Sequence, residues 1–255
     1  MTVRILSALV LVPVALLIIL QGGLAYLLML LAVGTLVHRE WQTVTGAPGL
    51  FWSVPALAFG WAAAAALQTG DPEWAGILTA LGVGSAVAMA LLRGRSAGWA
   101  AAGAAYFILP TLALVHLRLD GYESVVWLFV VVWATDTGAY LVGSQVGGAK
   151  LWRRVSPNKT WSGAVGGVAF GAITGLAVAA ILDDADLYGA LLAGAAISIV
   201  AQAGDLAESA WKRHFKVKDS GGMIPGHGGV MDRMDGLIAA AVVLALMNRL
   251  DGVSI

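Results

Sequence analysis

Residues Ser209–Asp235 read SAWKRHFKVKDSGGMIPGHGGVMDRMD and stand between two apolar runs. The stretch gathers the cations Lys212, Arg213, Lys216, Lys218 and Arg233, the histidines His214 and His227, five glycines, and the carboxylates Asp219, Asp232 and Asp235. The chain as a whole is 59% hydrophobic and 12% charged, so this density of polar groups is a local exception. Clustered cations suit phosphate groups. The glycines of GGMIPGHGG let the backbone turn tightly and approach a ligand closely. Asp232 and Asp235 sit three apart, which places them on one face of a helix. Cations, carboxylates and a permissive backbone together point to Mg²⁺-assisted phosphate chemistry.

Outward from this stretch the chain is apolar. Its mean hydropathy is +0.84. Nine apolar segments fall at roughly 4–20, 24–38, 51–68, 74–92, 98–117, 124–146, 161–182, 187–211 and 231–250. Each approaches the ~20 residues that cross a bilayer as a helix. Their length and Ala/Leu content favour helices over strands. The expected fold is therefore all-α: a polytopic membrane protein of about nine transmembrane helices with a cytoplasm-facing polar cavity. Residues 1–120 hold about five spans and residues 121–255 about four, the latter forming the catalytic region. The first run follows Arg4 but no small-x-small cleavage site follows it, so it reads as an uncleaved helix. The chain has no Cys, which excludes disulfides and cysteine metal sites. No internal repeat is visible, which weakens a transporter reading.

Charge sets the expected orientation. With a cytoplasmic N-terminus and nine crossings, only Arg118 and Arg249 of the 15 Lys and Arg residues fall on the far side. The acidic residues Asp71, Glu73, Asp120, Glu123, Asp183, Asp184, Asp186 and Asp251 collect there, and the cation bias is the one the positive-inside rule describes. Trp41, Trp52, Trp74, Trp99, Trp127, Trp152, Trp161 and Trp211 lie near predicted span ends and read as interface anchors. Glycines inside the spans, such as Gly163, Gly166, Gly167, Gly171 and Gly175, read as helix-packing positions.

Three further polar groups stand in or beside the membrane, where charge is costly and usually functional. Asp136 lies mid-span in WATDTGAYLVG, with Tyr140 and Gly143 on its face; it is either a cavity contact for metal or nucleotide or a helix-to-helix hydrogen bond. The loop GGAKLWRRVSPNKT, Gly147–Thr160, carries Lys150, Arg153, Arg154 and Lys159. It reads as a topogenic loop or a phosphate site. Asp205, Glu208, Ser209 and Lys212 share one helical face. Glu208 and Lys212 can pair with each other, whereas Asp205 has no cation within a turn and needs a metal, a partner or a proton. The first five spans offer no motif.

Ser209, Lys212, Arg213, Lys218, Asp219, Gly221, Ile224, Pro225, His227, Gly228, Gly229, Asp232, Arg233 and Asp235 fall on a pattern that resembles the signature of the CDP-diacylglycerol synthases, or phosphatidate cytidylyltransferases. That pattern is S-x-x-K-R, K-D, then H-G-G-x-x-D-R-x-D. Ser156-Pro157-x-Lys159-Thr160 is similar to the family's S-P-x-K-[S/T] element, downstream of its D-T-G-A-Y. The chain departs at Ser162, where the family commonly has glutamate. The resemblance covers roughly residues 130–240. It implies that CTP and phosphatidate react to CDP-diacylglycerol and pyrophosphate in a bilayer, with the N-terminus and active site cytoplasmic, in a bacterial inner membrane. It implies Mg²⁺ and leaves a second cation open. Asp205 and Asp232 are expected to ligate one Mg²⁺, with Asp235, Asp136 and Asp219 as further candidates. Asp205, Lys212, Arg213, Asp232 and Arg233 are the expected catalytic residues. Ser156, Lys159, Thr160, Ser209, Lys218, His227, Gly228 and Gly229 are the expected substrate contacts. No polymeric nucleic acid is expected as a partner, and a homodimer stays open. The alternatives are another CTP-dependent lipid enzyme (a lipid kinase or archaeal-type lipid cytidylyltransferase) and, from a different class, an ion-coupled transporter.

Overall fold

The computed structural model describes residues 2–47, 49–182, 186–223 and 228–251. Among these residues nine α-helices follow in order: α1 Thr2–Gln21, α2 Gly23–Val44, α3 Val54–Gln68, α4 Pro72–Leu91, α5 Ala97–Asp120, α6 Tyr122–Val146, α7 Trp161–Ile181, α8 Leu187–His214 and α9 Met231–Asp251. Each answers to one of the apolar runs. Seven, α2 to α8, are long and apolar enough to cross a bilayer, with α3 counted from Phe51. α1 offers a shorter apolar helix, Val12–Gln21. α9 begins with Asp232, Arg233 and Asp235, which dilutes its apolar content. The chain is thus an all-α polytopic membrane protein.

Local chemistry sets the helix ends. Gly22, at φ 66°, separates α1 from α2 in a conformation that favours glycine. Pro72 opens α4, where a missing N–H costs nothing. Thr160 caps α7 by accepting from Gly163 N (3.1 Å), and Asp186 caps α8 by accepting from Gly189 N (2.8 Å). Pro110 lies inside α5 and is buried. A membrane helix tolerates it because packing and side-chain hydroxyls compensate for the lost backbone bond; beside it Thr111 Oγ1 donates to Phe107 O (2.6 Å).

One element departs from the expected loop. Between α6 and α7, β1 Lys150–Trp152 and β2 Ser156–Thr160 form a small antiparallel hairpin, with Lys150 opposite Thr160 and Trp152 opposite Ser156. Val155 N donates to Trp152 O (3.1 Å) to close its turn. A hairpin this short carries no periodic signal, so a basic loop is all that its sequence suggests.

The chain divides into two compact units. The N-terminal unit is Met1–Leu119 with Asp219–Arg233, and the C-terminal unit is Asp120–Lys218 with Met234–Ile255. In the first, Tyr26 Oη donates to Leu114 O (3.1 Å) and His38 Nδ1 donates to Gly103 O (3.3 Å), tying α2 to α5. In the second, α7 packs through a glycine every fourth residue. Gly163 faces the Ala139 carbonyl, Gly167 the Thr135 carbonyl, Gly171 the side chains of Thr135 and Ser198, and Gly175 the Ala190 carbonyl. A side chain at any of them would force α6 or α8 away, so small residues set these helix spacings.

Three of the expected interface tryptophans are core residues instead. Trp127 is 0% exposed, and Trp41 and Trp211 are 7% exposed. Trp127 Nε1 donates to Gly175 O (3.0 Å) and Trp41 Nε1 to Trp99 O (3.0 Å). A buried indole needs such a partner, and close approach at glycine supplies a reachable carbonyl. Position near a span end therefore does not distinguish a belt residue from a buried one.

Candidate active site

In the C-terminal unit the hairpin delivers a cation to α8. Lys159, near the end of β2, forms an ion pair with Asp205 Oδ2. Ser209, one turn further along α8, donates from Oγ to Asp205 Oδ1 (3.3 Å). The sequence gives Asp205 no cation within a turn on its own helix, and the fold supplies one from 46 residues away. The two side chains remain 30% and 28% exposed. An ion pair so accessible contributes on the order of 1 kcal/mol or less, so fold stability is a poor reason for its presence. Glu208 and Lys212 do pair, at 3.1 Å, and both are buried. Asp235, at the start of α9, lies within electrostatic reach of Asp205, Glu208 and Lys212. Three carboxylates and two lysines are thus gathered in one unit.

The hairpin is itself anchored. Thr160 Oγ1 and Ser162 Oγ are 3.0 Å apart, and Ser162 Oγ donates to Gly147 O at the end of α6. Where the family commonly carries glutamate, this chain thus uses a hydroxyl to tie the two ends of the hairpin together. Ser156 lies half-buried in β2. Arg213 is exposed and its Nη1 donates to Val217 O (3.0 Å), which steadies the turn after α8. Lys218 is exposed, as is Asp136 on α6, one turn before exposed Tyr140.

The N-terminal unit holds the glycine-rich part of the signature, and two carboxylates organise it. Asp232 accepts from Ser220 N (2.9 Å) and Gly229 N (2.9 Å) through Oδ2. Glu40, far away on α2, accepts from Ser220 Oγ (2.7 Å), Val230 N (2.8 Å) and Met231 N (2.9 Å). The first N–H groups of a helix have no partner within it. At α9 the N–H groups of Gly229, Val230 and Met231 are satisfied by two carboxylates, and negative charge there also suits the helix dipole. Glu40 is 3% exposed; burial of its charge is tolerable because three donors converge on it. The glycines follow from this carboxylate. A Cβ on Gly221 would come 2.9 Å from Glu40 Oε1, and one on Gly229 would overlap Glu40 Oε2 and Ser220 Oγ. Gly228 adopts φ 86° and faces Asp232 Oδ2. Arg233 and Asp219 are exposed. His227 lies outside the described residues.

Glu40 was not among the expected site residues. Its one sequence signal is a carboxylate at the end of an otherwise apolar helix, in HREW, with no motif around it. Asp205 belongs to one unit and Asp232 to the other. Among the described residues no three His, Cys, Asp or Glu side chains are grouped to hold a metal by themselves. Mg²⁺ is commonly held by one or two carboxylates completed by water and substrate phosphates. Asp205 and Asp235 are the carboxylates of the C-terminal unit on which such a site would draw.

The chain belongs to the cytidylyltransferase family, whose model matches residues 2–250. It is 40% identical to the phosphatidate cytidylyltransferase of Brucella suis biovar 1 (strain 1330), over 97% of this chain and 93% of that protein. The phosphatidate cytidylyltransferase of Brucella melitensis biotype 1 is equally similar. That of Staphylococcus haemolyticus (strain JCSC1435) is 34% identical over 98% of each chain.

Proposed function

We infer that this protein joins CTP to phosphatidate, giving CDP-diacylglycerol and pyrophosphate, and so acts in phospholipid biosynthesis within the membrane. The observation that carries this beyond family membership is the Lys159–Asp205–Ser209 constellation. It brings the S-P-x-K-T element and the signature helix together in one unit. A phosphate oxygen of phosphatidate attacks the α-phosphorus of CTP; the new P–O bond forms as the bond to the β-phosphate oxygen breaks and pyrophosphate leaves. The lipid brings its own nucleophile, so the protein's task is to position and to neutralise charge.

In the C-terminal unit Lys159, Lys212, Arg213 and Lys218 bind phosphate oxygens, and Ser209 orients Asp205. In the N-terminal unit the Gly228-Gly229 backbone, shaped by Asp232 and Glu40, gives a close-approach surface beside Arg233. The reaction is Mg²⁺-dependent, with Asp205 and Asp235 as the carboxylates the C-terminal unit offers; Asp232, Asp219 and Asp136 are further oxygen ligands to test. The cation, when bound, screens the triphosphate and the leaving pyrophosphate. The active face is cytoplasmic, in a bacterial inner membrane.

Purified protein incubated with α-labelled CTP and phosphatidate is expected to place label in a CDP-lipid, and chelation is expected to stop it. Label recovered as CDP indicates a lipid kinase, and no turnover returns the transporter. For orientation, single cysteines at Arg154, in the hairpin before α7, and at Tyr188, in the first turn of α8, are expected to react with an impermeant maleimide from opposite sides. Reaction of both from one side overturns the topology.

A further inference from the structure

We propose that a groove between α7 and α8 seats one acyl chain of the phosphatidate substrate. The proposal rests on the function inferred above and names the subsite that holds the lipid. The groove measures about 490 Å³. Leu151 of β1, Trp161, Ala164 and Ala172 of α7, and Ile199 and Leu206 of α8 line it. Gln202 is its one amide side chain, and Gln202 Nε2 donates to Ala164 O (3.2 Å). The rest of the lining is aliphatic apart from the Trp161 indole.

Its polarity is graded along its length. Trp161 directly follows Lys159-Thr160, and Leu206 directly follows Asp205, so one end of the groove abuts the Lys159–Asp205 pair. From Trp161 to Ala172 helix α7 rises eleven residues at about 1.5 Å each, roughly 16 Å. That is about half the ~30 Å hydrocarbon core of a bilayer. The groove thus has the depth of one leaflet and a cation at one end. A phosphomonoester on a glycerolipid matches both features: its phosphate meets Lys159 and its chain runs down α7. Val165 (67% exposed) and Ile199 (56% exposed) stand among the lining residues, so the groove is continuous with the protein's apolar outer surface. A lipid can enter it sideways without leaving the bilayer. Small side chains at Ala164 and Ala172 leave the width that a chain requires.

The test is to fill the groove midway while leaving its charged end untouched. Ala172→Trp and, from the same helix, Val168→Trp are assayed with dioleoyl and with dihexanoyl phosphatidate, whose six-carbon chains stop short of Ala172. The KM for the dioleoyl substrate is expected to rise at least tenfold. The KM for the dihexanoyl substrate and for CTP is expected to stay within twofold, which also certifies the fold of each variant. An unchanged long-to-short ratio, or equal loss on both substrates in both variants, overturns the groove assignment alone. Parent protein that forms no CDP-lipid from either substrate overturns the function and the groove together.

Discussion

Glu40→Gln is expected to lower CDP-lipid synthesis about a hundredfold at saturating CTP, although Glu40 lies on α2, outside the signature. The Glu40 carboxylate accepts from Ser220 Oγ, Val230 N and Met231 N, and all three donors belong to the signature loop or to the first turn of α9. The amide of glutamine keeps one acceptor oxygen and turns an N–H₂ toward a donor. Hydrogen bonds to a charged group are worth ~1.5–3 kcal/mol each. Losing two of them removes about 3 kcal/mol from the arrangement that fixes Gly228 and Gly229, and 1.36 kcal/mol is tenfold in rate. Glu40→Asp keeps the charge on a shorter arm and should recover part of the loss. Ser220→Ala removes one donor and leaves the two backbone donors, so its effect should be smaller. Its combination with Glu40→Gln should be less than additive, because both act through one contact. Glu40→Gln within threefold of the parent, at equal yield of folded protein, would show that the loop holds its shape without this carboxylate.

The same residue shows what the sequence makes legible. The helices are readable because burial in lipid requires about twenty apolar residues in a row, and such runs are hard to produce by accident. The signature is readable because phosphate chemistry concentrates charge and glycine in a chain that is otherwise poor in charge. Glu40 is a lone carboxylate, and its meaning lies in donors that are 180 to 191 residues away. No local pattern encodes that distance. Asp205 was legible only as a charge in search of a partner; Lys159 as that partner required the β1–β2 hairpin, which is too short to leave a periodic trace. Trp127 was misread for a related reason: the carbonyl it donates to belongs to Gly175, on another helix, and is exposed by a glycine stripe whose packing partner the sequence does not name.

Asp205→Asn is expected to reduce CDP-lipid synthesis about a thousandfold, in the range seen when one preorganised electrostatic group is removed from an active site. Lys159→Ala is expected to do much the same. Asp205→Asn is nearly isosteric, and the pair it breaks is about 30% exposed on each side, so the fold should tolerate it. Chemistry should not, because Asp205 holds the Lys159 ammonium at the end of β2 and is the carboxylate we propose for Mg²⁺. If the two residues act as one unit, the Asp205→Asn/Lys159→Ala double variant will be little worse than either single one, since groups that work together give non-additive losses. Arg95→Ala, an exposed cation in the turn before α5 with no motif around it, serves as the control and should stay within twofold of the parent. The measurement is incorporation of α-label from CTP into lipid, at matched expression and at high and low Mg²⁺. Asp205→Asn should also blunt the rise in activity with Mg²⁺, whereas loss of a purely structural contact would scale the whole curve. Additive losses, or either single variant within tenfold of the parent, would separate the pair from the chemistry and leave Lys159 as one more cation of a topogenic loop.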